Sequence, residues 1–404
     1  MISQLRIFIF ASIACVTLWT CWRFYGYFFS KTSPELSLIG IESDGWYSGD
    51  IQCIVKGKDN YKVSDIAVSL DGKPLVPKCR INRKEFECPF TIPTKTLTNG
   101  KHVLNVEVQN STFNKAKETV NISFYVDNTM LQAAFVKGDS DSKVFQGRTL
   151  HVQFQVNKEI KKAVTTVLSK NYNCFPESPN SLIYECFIPI ECDEAPNEYM
   201  LSVEITDKVG NSITLENKFQ VVLYPFKKQQ LHLKNEKIKE ENQIGLPEKQ
   251  LESEIEELTK KSPQQKLWQG IFYTPVEIKD PKQITTDFGV IRTTQERGLR
   301  CHKALDVYAT PKSVVWAPQD GNVVLKNRYA HSGNTVIIDH GYGILTLLFH
   351  LDTFASIEVG EKIKRGNPVG TLGKTGYATG YHLHWEMRIN NVAIDPMEWT
   401  KRDF

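Results

Sequence analysis

Apolar and polar residues alternate in two segments near the C-terminus of this 404-residue chain. In the segment 382–389, one face of a strand would carry His382, His384, Glu386 and Arg388. The residues between them are Leu383, Trp385, Met387 and Ile389. A period of two with one apolar side is the pattern of a half-buried β-strand. The segment 345–351 has an apolar face of Leu345, Leu347, Phe349 and Leu351, and His350 would therefore point to the opposite side.

A second pair of polar residues lies upstream. His302 and Asp306 are four residues apart and would share a face if this segment is also extended. Two such strands side by side would bring two imidazoles and one carboxylate to a common point. Three nitrogen or oxygen ligands with an open position for water form a catalytic zinc site. Six of the nine histidines lie between His302 and His384, which favours a site over isolated structural histidines.

The N-terminus is apolar. Residues 7–22 carry no charge and follow Arg6. This pattern predicts a membrane helix within residues 1–31, either a retained anchor or a cleaved signal peptide. In both cases the bulk of the chain would lie outside the cytoplasm. We therefore expect an inner-membrane anchor that contacts lipid, with the remaining chain in the periplasm or outside the cell.

Residues 33–224 contain an internal repeat. Glu87-Cys88 recurs as Glu185-Cys186, and the strand-like segment 104–108 recurs as 201–205. Both copies consist of short alternating runs separated by turn signals such as Asp71-Gly72. The repeat predicts two tandem β-sandwiches of immunoglobulin-like type, over residues 33–127 and 128–225.

The repeat also suggests how some of the cysteines pair. Cys79 recurs as Cys174, and each would face the second cysteine of its copy across a hairpin. An oxidising compartment permits such bridges. We therefore predict the disulfides Cys79–Cys88 and Cys174–Cys186, with buried free thiols as the alternative. This reasoning leaves Cys53, Cys192 and Cys301 unassigned.

A segment rich in Lys, Glu and Gln, residues 226–263, follows the second module. Leu251, Ile255 and Leu258 form a narrow apolar stripe at helical spacing. The segment predicts a solvated, charged helical linker. A short coiled coil and a flap over a binding groove are the alternatives.

Charge and glycine placement exclude two classes of ligand. The 49 basic and 46 acidic residues leave a net charge of only +3, which indicates no nucleic-acid partner. The glycine-rich run 373–380 is not followed by a helix signal. Phosphate loops require a helix N-terminus after the glycines, so we expect no nucleotide ligand.

The last third of the chain resembles the lysostaphin/LytM-type zinc metallopeptidases, which cut peptidoglycan cross-bridges. The resemblance rests on His302-Lys303-Ala304-Leu305-Asp306, Leu348-Phe349-His350-Leu351, Gly380-Tyr381-His382-Leu383-His384 and Asp395-Pro396. Ala304 departs from the family, which usually has Gly there. The resemblance implies a mainly β chain that ends, over residues 264–404, in an antiparallel β-sheet peptidase domain.

The same resemblance implies roles for single residues. His302, Asp306 and His384 would bind Zn²⁺. His350 and His382 would flank a metal-activated water and act as catalytic residues, and either could be the base. Glu386 would orient a ligand imidazole, or else take part in an exposed salt bridge. His331 and His340 are interpreted as structural.

These observations predict a zinc endopeptidase that hydrolyses peptide cross-links or stem peptides of peptidoglycan. One alternative is a protein that keeps the peptidase scaffold without turnover and binds the wall or activates an amidase. Another alternative is a surface interaction protein whose function depends mainly on the sandwich modules. Regulators of the first kind normally lack metal ligands, whereas all three are present here.

Overall fold

The computed structural model describes residues 2–29, 31–136, 143–230, 240, 243–294 and 298–404. The described chain is mainly β and divides into two compact units, residues 1–130 and 131–404. Much of the predicted linker, residues 231–239 and 241–242, lies outside the described residues.

The expected N-terminal helix is present as α1, Ile2–Phe29. Within the described residues, no helix combines the length and the apolar character that crossing a bilayer requires. The membrane-spanning assignment of α1 is therefore not confirmed. Polar residues such as Thr17, Thr20 and Arg23 interrupt its apolar run.

The first unit contains one six-stranded sheet in which β3 is the central strand. It pairs with β1, β4 and β5. The strands are β1 Glu35–Ile39, β2 Trp46–Tyr47, β3 Ile51–Leu70, β4 Lys73–Ile92, β5 Gly100–Asn110 and β6 Lys117–Val126, with a 3₁₀ turn at Thr94–Thr96. Inward-facing aliphatic residues such as Val55, Ile66 and Val106 are fully buried.

The second predicted module consists of two sheets that share one hydrophobic core. The four-stranded sheet contains β7 Ala133–Phe135, β9 Thr149–Val156, β12 Phe175–Pro176 and β13 Ile183–Pro189. The five-stranded sheet contains β8 Lys143–Phe145, β10 Ile160–Val167, β11 Lys170–Asn173, β14 Glu198–Asp207 and β15 Ser212–Val222. The immunoglobulin-like type of both modules stays a prediction.

All nine cysteines lie in the described ranges and are free thiols. Cys79 and Cys88 lie in the same strand, β4, so the predicted hairpin between them is wrong. The hairpin turn falls earlier, at Asp71-Gly72 between β3 and β4. The thiols of Cys174 and Cys186 hydrogen-bond to each other in the core of the second module. Their disulfide stays a prediction.

The C-terminal part of the second unit is built on a ten-stranded sheet. Its strands are β17 Ile284–Thr286, β20 Leu305–Val307, β21 Val314–Trp316, β22 Gly321–Tyr329, β23 Gly333–Asp339, β24 Ile344–Phe354, β25 Lys362–Ile363, β26 Pro368–Leu372, β27 Leu383–Ile389 and β28 Val392–Ile394. The central order is β17-β20-β27-β24-β23-β22-β25. A separate three-stranded sheet contains β16 Lys228–Gln230, β18 Ile291–Thr294 and β19 Gly298–Cys301. A 3₁₀ turn, Pro281–Gln283, precedes β17, and the short helix α3, Pro396–Trp399, follows β28.

The sandwich of the second unit is joined to this sheet by polar and aromatic contacts. The Thr149 backbone N–H donates to Glu398 Oε2 at 2.9 Å, and Trp399 Nε1 donates to Thr149 Oγ1 at 3.0 Å. Arg148 pairs with Asp395 at 2.6 Å. These bonds are shielded from water by a cluster of aromatic rings, Phe187, Trp268, Phe272, Tyr342, Trp399 and Phe404.

The apolar stripe of the predicted linker helix is largely buried. Helix α2 runs from Glu248 to Lys261, preceded by Pro247, and its residues Leu251 and Ile255 are at most 1% exposed. They pack on a face of the ten-stranded sheet that includes Leu345, Leu347 and Phe349. This helix is therefore not a solvated linker but an integral layer of the C-terminal sheet.

The packing of α2 predicts a clear effect on stability. We expect Ile255→Ala to lower the free energy of unfolding by about 2–5 kcal/mol, because it leaves a cavity under the helix. Glu257→Ala, on the solvent side of α2, is the matched control and should change it by less than about 0.5 kcal/mol. Urea denaturation of the full chain measures both. Equal effects of the two substitutions would argue against a packed helix.

Candidate metal centre

Strand pairing brings the candidate ligands together. Asp306 on β20 lies directly opposite His384 on β27 in the antiparallel register. His302 follows β19, and its backbone is held by hydrogen bonds to Val290 and Gly289 at 2.9 and 2.8 Å. One ligand atom from each of the three residues lies within 4.8 Å of the others. The structure thus assembles the three residues that the sequence predicts as a ligand set.

The distances within this group suit a small cation. Asp306 Oδ1 lies 3.1 Å from His302 Nε2 and 3.0 Å from His384 Nδ1. Ligand bonds of ~2.0 Å in a tetrahedron place neighbouring ligand atoms ~3.3 Å apart. The observed separations are close to this value.

The hydrogen bonding of His302 gives a further test of fit. Its Nδ1 donates to the carbonyl oxygen of Asp287 at 3.2 Å, which leaves Nε2 as a bare acceptor. This Nε2 is buried and has no hydrogen-bond partner, although Asp306 Oδ1 is 3.1 Å away. Two lone pairs that face each other at this distance repel, and a cation bound between them would remove this repulsion. The residues therefore fit a zinc ion.

Asp306 is held from its other side by Arg292, a residue of β18. Arg292 Nη2 donates to Asp306 Oδ2 at 2.8 Å and to Thr286 Oγ1 at 3.0 Å. Burial would raise the pKa of Asp306, but the hydrogen bond from His384 and the positive charge of that imidazole hold it well below its usual range. The carboxylate is therefore ionised and oriented with Oδ1 towards the histidines.

His350 reaches the site through a break in the alternation of β24. The alternating pattern predicts that His350 points to the site and that Phe349 points to the opposite side. Phe349 nevertheless lies beside the site, where its ring stacks on that of His384 at 5.0 Å between ring centroids. A bulge in the pairing with β23 and a backbone φ of +62° at His350 change the register here. Leu351 consequently packs with Leu348, on the other face of the sheet from Phe349. The predicted common apolar face of Phe349 and Leu351 is wrong.

The two flanking histidines are oriented by backbone carbonyls. His350 Nδ1 donates to Thr375 O at 2.8 Å, and His382 Nδ1 donates to Gly380 O at 2.9 Å. Their rings lie 4.8 Å apart, and the His350 ring is 5.8 Å from that of His384. Burial lowers the pKa of both imidazoles, so both are neutral and keep Nε2 available as a proton acceptor.

Glu386 lies behind His384 in a buried chain of charges rather than in an exposed salt bridge. His384 Nε2 is 3.7 Å from Glu386 Oε2, and Arg388 Nε donates to Glu386 Oε1 at 2.5 Å. Arg388 also binds Glu252 of helix α2 through two bonds of 2.8 and 3.2 Å. Burial opposes protonation of His384, but its hydrogen bond to Asp306 and the nearby negative charge of Glu386 raise its pKa to about 9. These two carboxylates therefore favour a cation at this imidazole.

Removal of the Glu386 charge is expected to weaken metal binding. We predict that Glu386→Gln binds zinc about 10–100-fold less tightly, because the carboxylate raises the basicity of His384 and orients its ring. Competition with a chromophoric chelator measures this affinity. Glu252→Gln is the matched control, since its half-exposed carboxylate binds Arg388 and is not among the groups bonded to His384, and it should have a smaller effect. Equal zinc affinity of Glu386→Gln and the wild type would remove Glu386 from this role.

The candidate ligands lie in a groove of about 420 Å³. Its walls include Arg292 and Lys303 on one side, Tyr377 and Tyr381 on another, and Glu248 and Glu252 of α2. Helix α2 therefore contributes to the wall of the groove, and the flap alternative stays a prediction. The sequence did not predict a role in the site for Arg292, Arg388 or Glu252, because their contacts join segments that share no spacing pattern.

His331 and His340 have different surroundings. His340 is fully buried, donates through Nδ1 to Asp320 O at 2.7 Å and accepts from Thr346 Oγ1 at 2.9 Å. Burial lowers its pKa to about 4, in agreement with a neutral structural role. His331 lies at the rim of the groove beside Glu248 and Tyr377. It does not join the cluster of three ligands.

Comparison with known proteins agrees with this geometry. Residues 300–396 match Peptidase family M23. A DD-carboxypeptidase/endopeptidase Mpg of Neisseria meningitidis is 38% identical over 24% of this chain and 22% of its own length. A peptidoglycan DD-endopeptidase ShyC of Vibrio cholerae is 32% identical over 29% and 27%. Among solved structures, lysostaphin from Staphylococcus simulans is 28% identical, with a TM-score of 0.24 over 25% of this chain and 44% of that chain.

The chain spans about a quarter of the length of these two curated relatives. The matched region nevertheless contains His302, Asp306, His350, His382 and His384. Residues 300–396, which carry the assembled site, therefore form a domain of peptidase family M23 at the C-terminal end of this chain.

Proposed function

We propose that this protein is a zinc-dependent endopeptidase that hydrolyses peptide bonds in the cross-links or stem peptides of peptidoglycan. The observation that carries the proposal is the convergence of His302, Asp306 and His384, with a buried and unpartnered His302 Nε2. Two similar proteins are named a DD-carboxypeptidase/endopeptidase and a peptidoglycan DD-endopeptidase, which supports this substrate class.

The residues of the site divide the work of hydrolysis. His302, Asp306 and His384 would hold a zinc ion, and its chemistry there would be that of a Lewis acid towards the scissile carbonyl and the attacking water. The free Nε2 atoms of His350 and His382 can accept the proton of the attacking water. After this proton transfer the same groups can donate hydrogen bonds to the oxyanion or a proton to the leaving amine. Their fixed Nδ1–H bonds keep the rings aimed into the site without reorganisation.

Charged residues that contact the candidate ligands preserve the geometry of the site. Arg292 donates to Asp306 Oδ2 and thereby fixes which oxygen faces the histidines. Glu386, held by Arg388, keeps His384 basic and oriented. Because Arg388 is bound to Glu252, helix α2 helps to support the site, although it precedes the region that matches the family.

This proposal also concerns location. Peptidoglycan lies outside the cytoplasmic membrane, so an enzyme with this substrate must act in the cell envelope. We propose that the chain is exported, with the C-terminal domain in the periplasm or outside the cell. Protease accessibility of the domain in intact cells and in spheroplasts tests this location.

The non-hydrolytic alternative predicts a different experimental result. All three candidate ligands and both flanking histidines are present and assembled, which favours the enzyme over an amidase activator. Incubation of the full chain with purified sacculi, followed by mass spectrometry of the released muropeptides, tests the choice. The enzyme should convert cross-linked dimers into monomers, and a chelator should abolish this reaction. Zinc-loaded protein that binds sacculi but leaves the dimers intact would support the regulator.

A further inference from the structure

Two cysteines from different parts of the second unit meet beside the candidate metal site. Cys192 lies in the turn after β13 of the sandwich, and Cys301 ends β19 and directly precedes His302. Their thiols hydrogen-bond to each other. Both residues line one hollow of about 350 Å³ and are partly exposed. We propose that Cys192 and Cys301 form a disulfide that joins the sandwich to the strand leading to the first metal ligand.

The junction around these thiols keeps them in place. Arg148 and Asp395 pair at 2.6 Å, and the Asp395 backbone N–H donates to Gly147 O at 2.9 Å. Tyr342 and Phe175 stack at 3.9 Å between ring centroids across the same junction. Both sides are therefore held in one relative position, and the thiol contact follows from this packing. Disulfides require such fixed and close approach of the two side chains.

Accessibility distinguishes this pair from the other pair of touching thiols. Cys174 and Cys186 are 8% and 1% exposed inside the sandwich core. Cys192 and Cys301 are partly exposed, so an oxidant can reach them in the folded protein. The pair is thus suited to oxidation after folding.

The chemistry is a dithiol–disulfide exchange with a protein or small-molecule disulfide. One cysteine thiolate attacks the donor S–S bond, forms a mixed disulfide and releases one donor thiol. The second cysteine then attacks the mixed disulfide, forms the Cys192–Cys301 bond and releases the second donor thiol. Two cysteine thiols are oxidised, and one donor disulfide is reduced to two thiols. Such exchange is expected in an oxidising compartment, so the formation of the bond in cells rests on the proposed location.

Peptide mapping tests the pairing without any use of peptidase activity. The full chain, exported to an oxidising compartment, is alkylated under denaturing conditions and digested at acidic pH without reductant. We expect a linked peptide that contains Cys192 and Cys301, absent after reduction and in Cys192→Ser. Cys21→Ser is the matched control and should retain the linked peptide. Recovery of both cysteines as alkylated thiols, even after treatment of the purified protein with oxidised glutathione, would overturn the proposal.

Treatment of the protein with oxidised glutathione distinguishes failure of the cysteine pairing from failure of the proposed location. If the linked peptide forms only with added oxidised glutathione, the pairing holds, but the bond does not form in the compartment to which the chain is exported. Oxidised wild type should also unfold at a midpoint roughly 5–10 °C above that of its reduced form, because the bond closes a long loop. Cys192→Ser should show no such difference, which verifies that this pair causes the shift.

Discussion

His384→Ala is expected to remove zinc from the protein and to reduce peptidoglycan cleavage by more than about 10³-fold. His384 is central to the site, because its Nδ1 bonds Asp306 at 3.0 Å and its ring stacks on Phe349. Its loss leaves two protein ligands, whereas catalytic zinc sites use three. Elemental analysis of the purified protein and muropeptide mass spectrometry measure the two effects.

His331→Ala is the matched control for this prediction. His331 lines the same groove, but it lies outside the group of three ligands, so zinc content and cleavage should stay within a few-fold of the wild type. If His384→Ala keeps one zinc ion per chain, or cleaves at the wild-type rate, the proposed metal centre is wrong. A loss of zinc in both variants would indicate a disturbed groove rather than a lost ligand.

Replacement of the flanking histidines is expected to separate metal binding from catalysis. His382→Ala and His350→Asn should keep zinc but lower the rate of cleavage by about 10²–10⁴-fold, the usual contribution of general acid–base groups. Neither imidazole belongs to the group of three candidate ligands, so zinc content should not depend on them. Asn is chosen at position 350 because it tolerates the left-handed backbone found there better than Ala does.

The comparison of these two variants also addresses the regulatory alternative. An enzyme should show rate losses with unchanged zinc content and an unchanged unfolding midpoint. If His382→Ala and His350→Asn match the wild type in every assay on sacculi, the two histidines do not act in turnover, and the non-hydrolytic interpretation stands. Unequal losses would indicate which imidazole is the base.

The ligand set could be predicted from sequence because the relevant information is local. His382 and His384 alternate with apolar residues, and a period of two places both on one side of a strand whatever surrounds it. His302 and Asp306 form an equally short motif, but residues 302–304 lie between β19 and β20, so the expected single extended segment is wrong. The same reasoning predicts the helix α2 and its apolar stripe, since Leu251 and Ile255 follow helical spacing, but it did not predict that the stripe is buried. Such patterns predict the same local structure in any fold that buries the apolar side.

Other features depend on contacts between distant segments. The position of His350 follows from a bulge and a positive φ that the alternating pattern of β24 does not reveal. The roles of Arg292 and Glu252 arise only when β18 and α2 pack beside the sheet. The apolar stripe of α2 was visible, but the surface that covers it belongs to residues about seventy to one hundred positions further along the chain.

Sequence by itself thus determined the chemistry of this protein: which side chains can bind a metal, and which segments are strands with a polar and an apolar face. The tertiary structure alone decided the layer to which the charged helix belongs and the orientation of His350. It also decided which cysteines touch, Cys192 with Cys301 instead of Cys79 with Cys88 across a hairpin. The physical reason is that side-chain periodicity is a property of neighbouring residues, whereas register, bulges and the docking of layers minimise the free energy of the whole unit.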